Sequence, residues 1–201
     1  MKRISLFIMV LLAVAMSMTA QNATAILDQS AAALKKAGNA RIDFTCVISG
    51  SAADGCIKLQ GNKFFLNMGG LQTWFDGKTM WQYNKKNEEV TVTEPTADEL
   101  SKINPYSFLS FYKKGYKVSM GKGTAKEQQV VLMGSGSGQY KKVVMMISKK
   151  THYPTSINLT SGNGHTLAIT CKSVHSNQKF GPASFKFDKR SYPKAEIVDL
   201  R

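Results

Sequence analysis

The chain has 201 residues, of which 43% are hydrophobic and 20% charged, so it can build a core without cross-links. Its 27 Lys and Arg outnumber its 13 Asp and Glu, and the formal net charge is +14 at pH 7. Because the lysines are spread along the chain, the charge is typical of a solubilising surface, or of a face for anionic lipid headgroups or an acidic partner protein. No nucleic-acid-binding motif is present, so we expect no nucleic-acid partner.

The first twenty residues have the pattern of a cleaved signal peptide. Lys2 and Arg3 form a positive start, an apolar run covers 4–16, and Ala20 supplies the small residue at the cleavage site. No Cys follows the run at the position where a lipoprotein would be acylated. We therefore predict that residues 1–20 are removed and that 21–201 form a single exported domain without a lipid anchor.

Apolar residues alternate with polar ones after an alanine-rich helix predicted over 23–36. The alternation begins at Ala40 and predicts a meander of about five antiparallel strands. It places three sets of residues on shared strand faces: Ile42, Phe44 and Cys46; Ile57 and Leu59; and Phe64, Leu66 and Met68.

Asp76-Gly77 separates two short aromatic runs in this meander. The pair predicts a two-residue type I′ hairpin turn, which needs positive φ at both central residues. The aromatic residues of the hairpin, among them Trp81, either pack into an ordinary core or line an apolar cavity.

The meander is followed by a helical insert. Thr96 and Glu99 form a capping box at the start of a helix, Asn104-Pro105 interrupts it, and 106–112 form a short aromatic helix. The aromatic helix at 106–112 is either a core helix or a lid on the sheet.

Further strands are predicted at 116–119, 129–133, 142–147, 155–159 and 166–174, with a last one around Phe185 and Phe187 before a polar tail. The fold class is therefore α+β, with one long antiparallel sheet.

The cysteines and histidines show no pattern of a metal or catalytic site. A hairpin centred near Ser51 would bring Cys46 and Cys56 together, as a disulfide or as two small buried thiols. Cys171 shares a strand face with Ile169 and is predicted to be a buried packing residue. No zinc spacing, nucleophile elbow, phosphate loop or nucleotide fingerprint is present. We expect no cofactor and no enzymatic activity.

The order of these segments resembles the LolA-like outer-membrane lipoprotein carrier proteins. The most specific stretch is Asp76-Gly77-Lys78-Thr79-Met80-Trp81 followed by Tyr83-Asn84, and the Asn104-Pro105-Tyr106 helix and the late Ala183-Ser184-Phe185-Lys186-Phe187 segment agree in order. The resemblance implies an open, strongly curved antiparallel sheet, a half-closed barrel, whose concave face is covered by the N-terminal helix and the helical insert.

The resemblance also implies a periplasmic carrier, expected to be a monomer, that binds acylated lipoproteins or lipids. Its partners would be an inner-membrane lipoprotein-releasing transporter and an outer-membrane receptor. The implied acyl cavity is lined by Phe44, Ile57, Leu59, Phe64, Leu66, Met68, Trp81, Tyr106 and Leu109. Gln60 occupies the place of a lid-latching arginine of the family, so a latch here would be weaker. The alternative is a periplasmic sensor or interaction module on the same fold.

Overall fold

The computed structural model describes residues 22–48, 50–103, 110–136 and 140–201, with only the backbone described at 101–103. The predicted signal peptide, Tyr106 and Leu109 lie outside these ranges. Helix α1 covers 22–36 and helix α2 is Ala97–Ile103. Short 3-10 helices lie at Phe111–Lys113, Pro182–Phe185 and Lys189–Ser191. The strands are β1 (Ala40–Ile48), β2 (Ser51–Gln60), β3 (Lys63–Met68), β4 (Leu71–Phe75), β5 (Met80–Asn84), β6 (Glu89–Thr93), β7 (Tyr116–Met120), β8 (Glu127–Gly134), β9 (Lys142–Ser148), β10 (Pro154–Thr160), β11 (Thr166–His175) and β12 (Glu196–Asp199).

The twelve strands of the described residues form a sheet in the order β12-β6-β5-β4-β3-β2-β1-β11-β10-β9-β8-β7. Strands β1 to β6 pair in chain order and antiparallel, as do β7 to β10. Strands β1 and β11 are also antiparallel, and β12 is parallel to β6. The order is linear, so the sheet is open, and the predicted α+β class with an open antiparallel sheet is confirmed. The predicted strands from Ala40 to Met68 and from Tyr116 to Val174 are confirmed within a few residues.

The chain divides into two compact units. In the described residues the first contains 22–33, 110–136 and 140–166, and the second contains 34–48, 50–103 and 167–201. The first unit has a core of β8, β9 and β10 side chains: Val130, Leu132, Val143, Met145, Ile147 and Leu159. In the same unit the Tyr112 hydroxyl donates to Asp28 Oδ1 at 2.6 Å. That contact ties α1 to the 3-10 helix, and Tyr112, predicted as the end of an aromatic helix, is buried.

Helix α2 begins with the predicted capping box. The Thr96 N–H donates to Glu99 Oε2 at 2.9 Å, and the Glu99 N–H donates to Thr96 Oγ1 at 3.4 Å. The two residues satisfy each other's backbone donors at the helix start. The local signal was therefore sufficient to place this helix.

The predicted type I′ turn at Asp76-Gly77 is wrong. The register pairs Phe75 with Met80, so four residues, 76–79, connect β4 and β5. Gly77 has a φ of +103°, whereas Asp76 is not in the left-handed region. Instead, Asp76 Oδ1 accepts the N–H groups of Lys78 at 3.1 Å and Thr79 at 2.9 Å. The carboxylate side chain, not a left-handed Asp, closes this loop.

The predicted last strand around Phe185 and Phe187 is also wrong. Pro182–Phe185 is a 3-10 helix, where Pro182 has no N–H to offer a neighbouring strand. Phe185 is buried, and Phe187 lies 5.3 Å from the Tyr192 ring centroid. The segment predicted as a polar tail instead forms β12 along the edge of β6.

The Asp76 carboxylate gives a pH-dependent contribution to stability. Its Oδ2 lies 3.5 Å from Lys186 Nζ. Burial raises the pKa of Asp76, but the N–H groups of Thr79 and Lys78 and the charge of Lys186 outweigh it, so the pKa is lowered overall. Such a carboxylate stabilises the fold above its unfolded pKa of about 4, and the contribution is lost as the pH falls through the folded value.

Asp76→Asn is therefore expected to lower the free energy of unfolding by about 1–2 kcal/mol at pH 7. The difference from the unchanged protein is expected to shrink as the pH falls below about 4. Urea unfolding of both proteins at a series of pH values measures this difference in the free energy of unfolding. Asp54→Asn is the matched control, with a smaller expected effect because Asp54 is exposed. A difference that stays constant down to about pH 3 would contradict a role for the Asp76 charge.

Candidate functional site

The second unit carries an apolar surface on one side of strands β1 to β3, formed by Ile42, Phe44, Ile57, Leu59, Phe64, Leu66 and Met68. We call it the apolar face. The register pairs Leu59 with Phe64, Ile57 with Leu66 and Ile42 with Ile57. Directly paired residues of antiparallel strands point to the same side of a sheet. The structure therefore brings together six of the nine residues predicted to line a cavity.

Phe44 reaches across β2 because Gly55 leaves room for its ring. Phe44 is paired with Gly55, which is paired in turn with Met68. A Cβ at Gly55 would lie 2.6 Å from ring atoms Cε2 and Cζ of Phe44 and 2.7 Å from the Asn67 carbonyl oxygen. Any larger residue at position 55 would displace the ring, so this glycine sets the shape of the apolar face.

Phe64 is the buried residue at one end of the apolar face. It is 1% exposed, its ring centroid lies 5.4 Å from that of Phe75, and it clusters with Phe75 and Met80. Leu59 and Leu100 pack against this cluster. Phe64 is therefore a core residue under the face, whereas Ile57, Leu66 and Met68 are half-buried and line its accessible part.

Leu100 shows that helix α2 lies over the Phe64 end of the apolar face. Sequence reasoning did not include Leu100 in the site. The signal that could have found it is its place in the first turns of α2, one residue after the Glu99 of the capping box. The described part of the insert therefore covers the side of the sheet that carries the predicted cavity strand.

Trp81 lies on the other side of the sheet. It follows Met80 on β5, so the two side chains point to opposite faces, and its paired residues are Trp74 and Val92. It packs against the cluster of Val90, Val92 and Ala195. Trp81 is therefore a half-buried residue that packs under the C-terminal segment, and we do not retain it as a lining residue.

Gln60 is also on the side opposite to Leu59. It is the last residue of β2 and pairs with Lys63. Phe64, which belongs to the cluster against which Leu100 packs, lies on the other face with Leu59. This position does not direct Gln60 towards α2. We therefore leave Gln60 out of the site proposed below.

The three cysteines are free thiols. Cys46 pairs with Ala53, and Cys56 pairs with Asp43, so the two thiols point to opposite faces of β1 and β2. The disulfide alternative is therefore wrong, and of the two small buried thiols predicted instead, Cys46 is buried and Cys56 is half-buried. Cys171, predicted to be buried, is half-buried, and burial raises the pKa of its thiol, which favours the protonated thiol.

A Ser-His-Asp group lies where β1 meets β11, but it has the wrong geometry for nucleophilic catalysis. Asp43 Oδ1 accepts from Arg41 Nη2 at 2.7 Å, and Arg41 lowers the pKa of Asp43. His175 Nε2 lies 2.9 Å from Ser173 Oγ and 3.6 Å from Asp43 Oδ2. A catalytic triad needs the carboxylate at the other ring nitrogen, Nδ1. The group is therefore an ion and hydrogen-bond network that joins two strands.

A family model described as outer membrane lipoprotein carrier protein LolA matches residues 13–163. The chain belongs to this LolA family. The LolA-like family consists of binding or carrier proteins, and its fold is one associated with lipid or lipoprotein binding. None of the helices described in this LolA family member is both long and apolar enough to cross a membrane.

Several solved structures are similar to this chain in fold at low sequence identity. An uncharacterized conserved protein from Thermus thermophilus has 11% identity and a TM-score of 0.61, over 89% of this chain and 99% of that one. MucB has 11% identity and a TM-score of 0.50, over 84% and 63%. A putative outer membrane lipoprotein-sorting protein domain from Vibrio parahaemolyticus has 10% identity and a TM-score of 0.48, over 86% and 99%. No curated protein matches the chain.

Proposed function

We propose that this chain is a periplasmic carrier that holds the acyl chains of lipoproteins, or of related lipids, against the apolar face. The observation that carries the proposal is the half-buried row of Ile57, Leu66 and Met68 beside the buried Phe64. Half-buried aliphatic side chains in register on adjacent strands form a continuous apolar strip of the kind that an alkyl chain can cover.

The binding free energy that a buried acyl chain supplies is large enough for a carrier protein. Burying an acyl chain of about 15 methylenes at roughly 0.8 kcal/mol each supplies on the order of 10 kcal/mol. The losses from ordering the chain and the surrounding side chains reduce this figure. An acyl chain bound in this way would be held tightly enough for transfer and still be released to a competing site.

The helical insert is proposed as the cover of the bound chain. Leu100 of α2 already contacts the Phe64 cluster, and Tyr106 and Leu109 follow within ten residues. Tyr106 and Leu109 remain predicted lining residues, because they lie outside the described part of the chain. By family membership we propose a monomer that receives cargo from an inner-membrane lipoprotein-releasing transporter and delivers it to an outer-membrane receptor.

Organic extraction of the purified protein tests this function. The protein is produced from the full sequence, isolated from the periplasmic fraction, extracted with chloroform and methanol, and analysed by mass spectrometry. We expect co-purified lipid or acylated peptide in a stoichiometric amount. Extracts without lipid, together with no binding of a fluorescent fatty acid by the purified protein, would reject the carrier and favour a sensor or interaction module.

A further inference from the structure

The basic charge is concentrated in the first unit. Residues 110–166 contain nine lysines and a single acidic residue, Glu127. Glu127 begins β8 and accepts a hydrogen bond from Thr155 Oγ1 at 2.6 Å. Asp28 is the acidic residue of the described α1 segment in this unit, and it pairs with Lys113 at 3.4 Å. The remaining lysines of the unit therefore greatly exceed the carboxylates available to neutralise them.

Strand pairing gathers four of these lysines at one end of β7, β8 and β9. The register aligns Lys117 with Met133 and Met133 with Lys142, so the three side chains share one side of the sheet. Adjacent strands lie about 4.8 Å apart. Lys114 and Lys141 precede the same strands. By strand alternation Lys141 points away from Lys142, so we call Lys117, Met133 and Lys142 the lysine face.

The lysine face is held in place by backbone hydrogen bonds. The Gly134 N–H donates to the Lys141 carbonyl at 2.9 Å, and the Ser135 N–H donates to the Gly115 carbonyl at 2.9 Å. The Tyr140 N–H donates to the Tyr116 hydroxyl at 3.0 Å. The lysine stems thus project from a defined surface made of three strand ends, while Glu127 lies at the far end of β8.

Met133 distinguishes this surface from a merely solubilising one. It is 42% exposed and stands between the exposed Lys117 and Lys142. A basic surface with an apolar side chain at its centre fits a lipid bilayer, because the lysines meet anionic headgroups while the thioether enters the apolar boundary. A highly solvated acidic peptide would gain nothing from the exposed methionine.

We propose that the lysine face docks this protein on a bilayer surface that contains anionic phospholipid. Lys117 and Lys142 on either side of Met133, with Glu127 at the far end of β8, supply the charge complementarity. The inference rests on the first unit alone. It holds whether or not the apolar face carries an acyl chain.

Vesicle sedimentation tests the docking. The probes are vesicles of phosphatidylcholine alone and of phosphatidylcholine mixed in equal parts with phosphatidylglycerol. We expect binding to the mixed vesicles, little binding to the neutral ones, and weaker binding in high salt. Each lysine near an anionic surface contributes about a fivefold factor in partitioning, so Lys117→Gln/Lys142→Gln is expected to lower the partition coefficient about thirtyfold.

Lys85→Gln/Lys86→Gln is the matched control. It removes the same charge from the turn between β5 and β6 in the second unit, and we expect binding within about twofold of the unchanged protein. An equal loss in both double variants would overturn the proposal, because net charge alone would then explain binding. Met133→Ser is expected to lower binding severalfold. Preference for poly-glutamate over mixed vesicles would overturn the bilayer as the partner.

Discussion

Replacing Leu66 by Glu is expected to lower the affinity for a fluorescent fatty acid at least about tenfold, which corresponds to about 1.4 kcal/mol. Leu66 is a half-buried member of the apolar face, paired with Ile57. A carboxylate there would be desolvated by the bound methylenes without a partner charge, and the chain would also lose apolar contact. A titration followed by fluorescence measures the change.

Asn67→Glu is the matched control for Leu66→Glu. It places the same charge on the next residue of β3, whose side chain points to the other side of the sheet. We expect an affinity within about twofold of the unchanged protein, because this carboxylate does not meet the acyl chain. If both variants lose affinity equally, the fatty acid does not bind on the apolar face. Circular dichroism of both variants verifies that the sheet is retained.

Replacing Phe64 by Ala is expected to lower the free energy of unfolding by about 3–5 kcal/mol. Phe64 is buried against Phe75, Met80, Leu59 and Leu100, so the substitution leaves a cavity in the core of the second unit. This is a large part of the roughly 5–15 kcal/mol that is typical of a folded domain. Urea unfolding followed by circular dichroism measures the loss.

Phe65→Ala controls for the loss of a phenyl ring from the same strand. Phe65 is half-buried on the opposite side, where its ring lies 5.3 Å from Trp74 and Lys58 Nζ lies 5.2 Å from the ring centroid. We expect a smaller loss, about 1–2 kcal/mol, because solvent can fill part of the space. Equal losses at positions 64 and 65 would contradict the assignment of Phe64 to the core.

The structure changes the expected behaviour of Phe64. The resemblance to the carrier family placed it, with Leu66 and Met68, on a cavity wall, and strand alternation alone cannot separate the three. The difference arises because Phe75 and Met80 come from β4 and β5 and Leu100 comes from α2. These elements bury one end of β3 and leave Leu66 and Met68 half-buried.

The C-terminal segment shows why local patterns mislead. Phe185 and Phe187 alternate with charged residues as in a strand, yet they do not form one. Phe185 belongs to a 3-10 helix. Phe187 lies 5.7 Å from Trp74 between ring centroids, on the side of the sheet that also holds Trp81. Residues 196–199, which have little apolar pattern, become β12 because the open edge of β6 offers unpaired backbone groups.

The sequence alone predicts the α+β class, most strands of the antiparallel sheet and the capping box of α2. It also predicts that Ile57 and Leu59 share one strand face and that Phe64, Leu66 and Met68 share another. These features depend on spacing along the chain, since alternation and capping involve residues a few positions apart. The tertiary structure adds that these two sets lie on the same side of the sheet and that α2 covers the Phe64 end. It also shows that Trp81 lies beneath the C-terminal segment and that the lysines at 117 and 142 flank Met133. Those features depend on contacts between distant segments, which local periodicity does not encode.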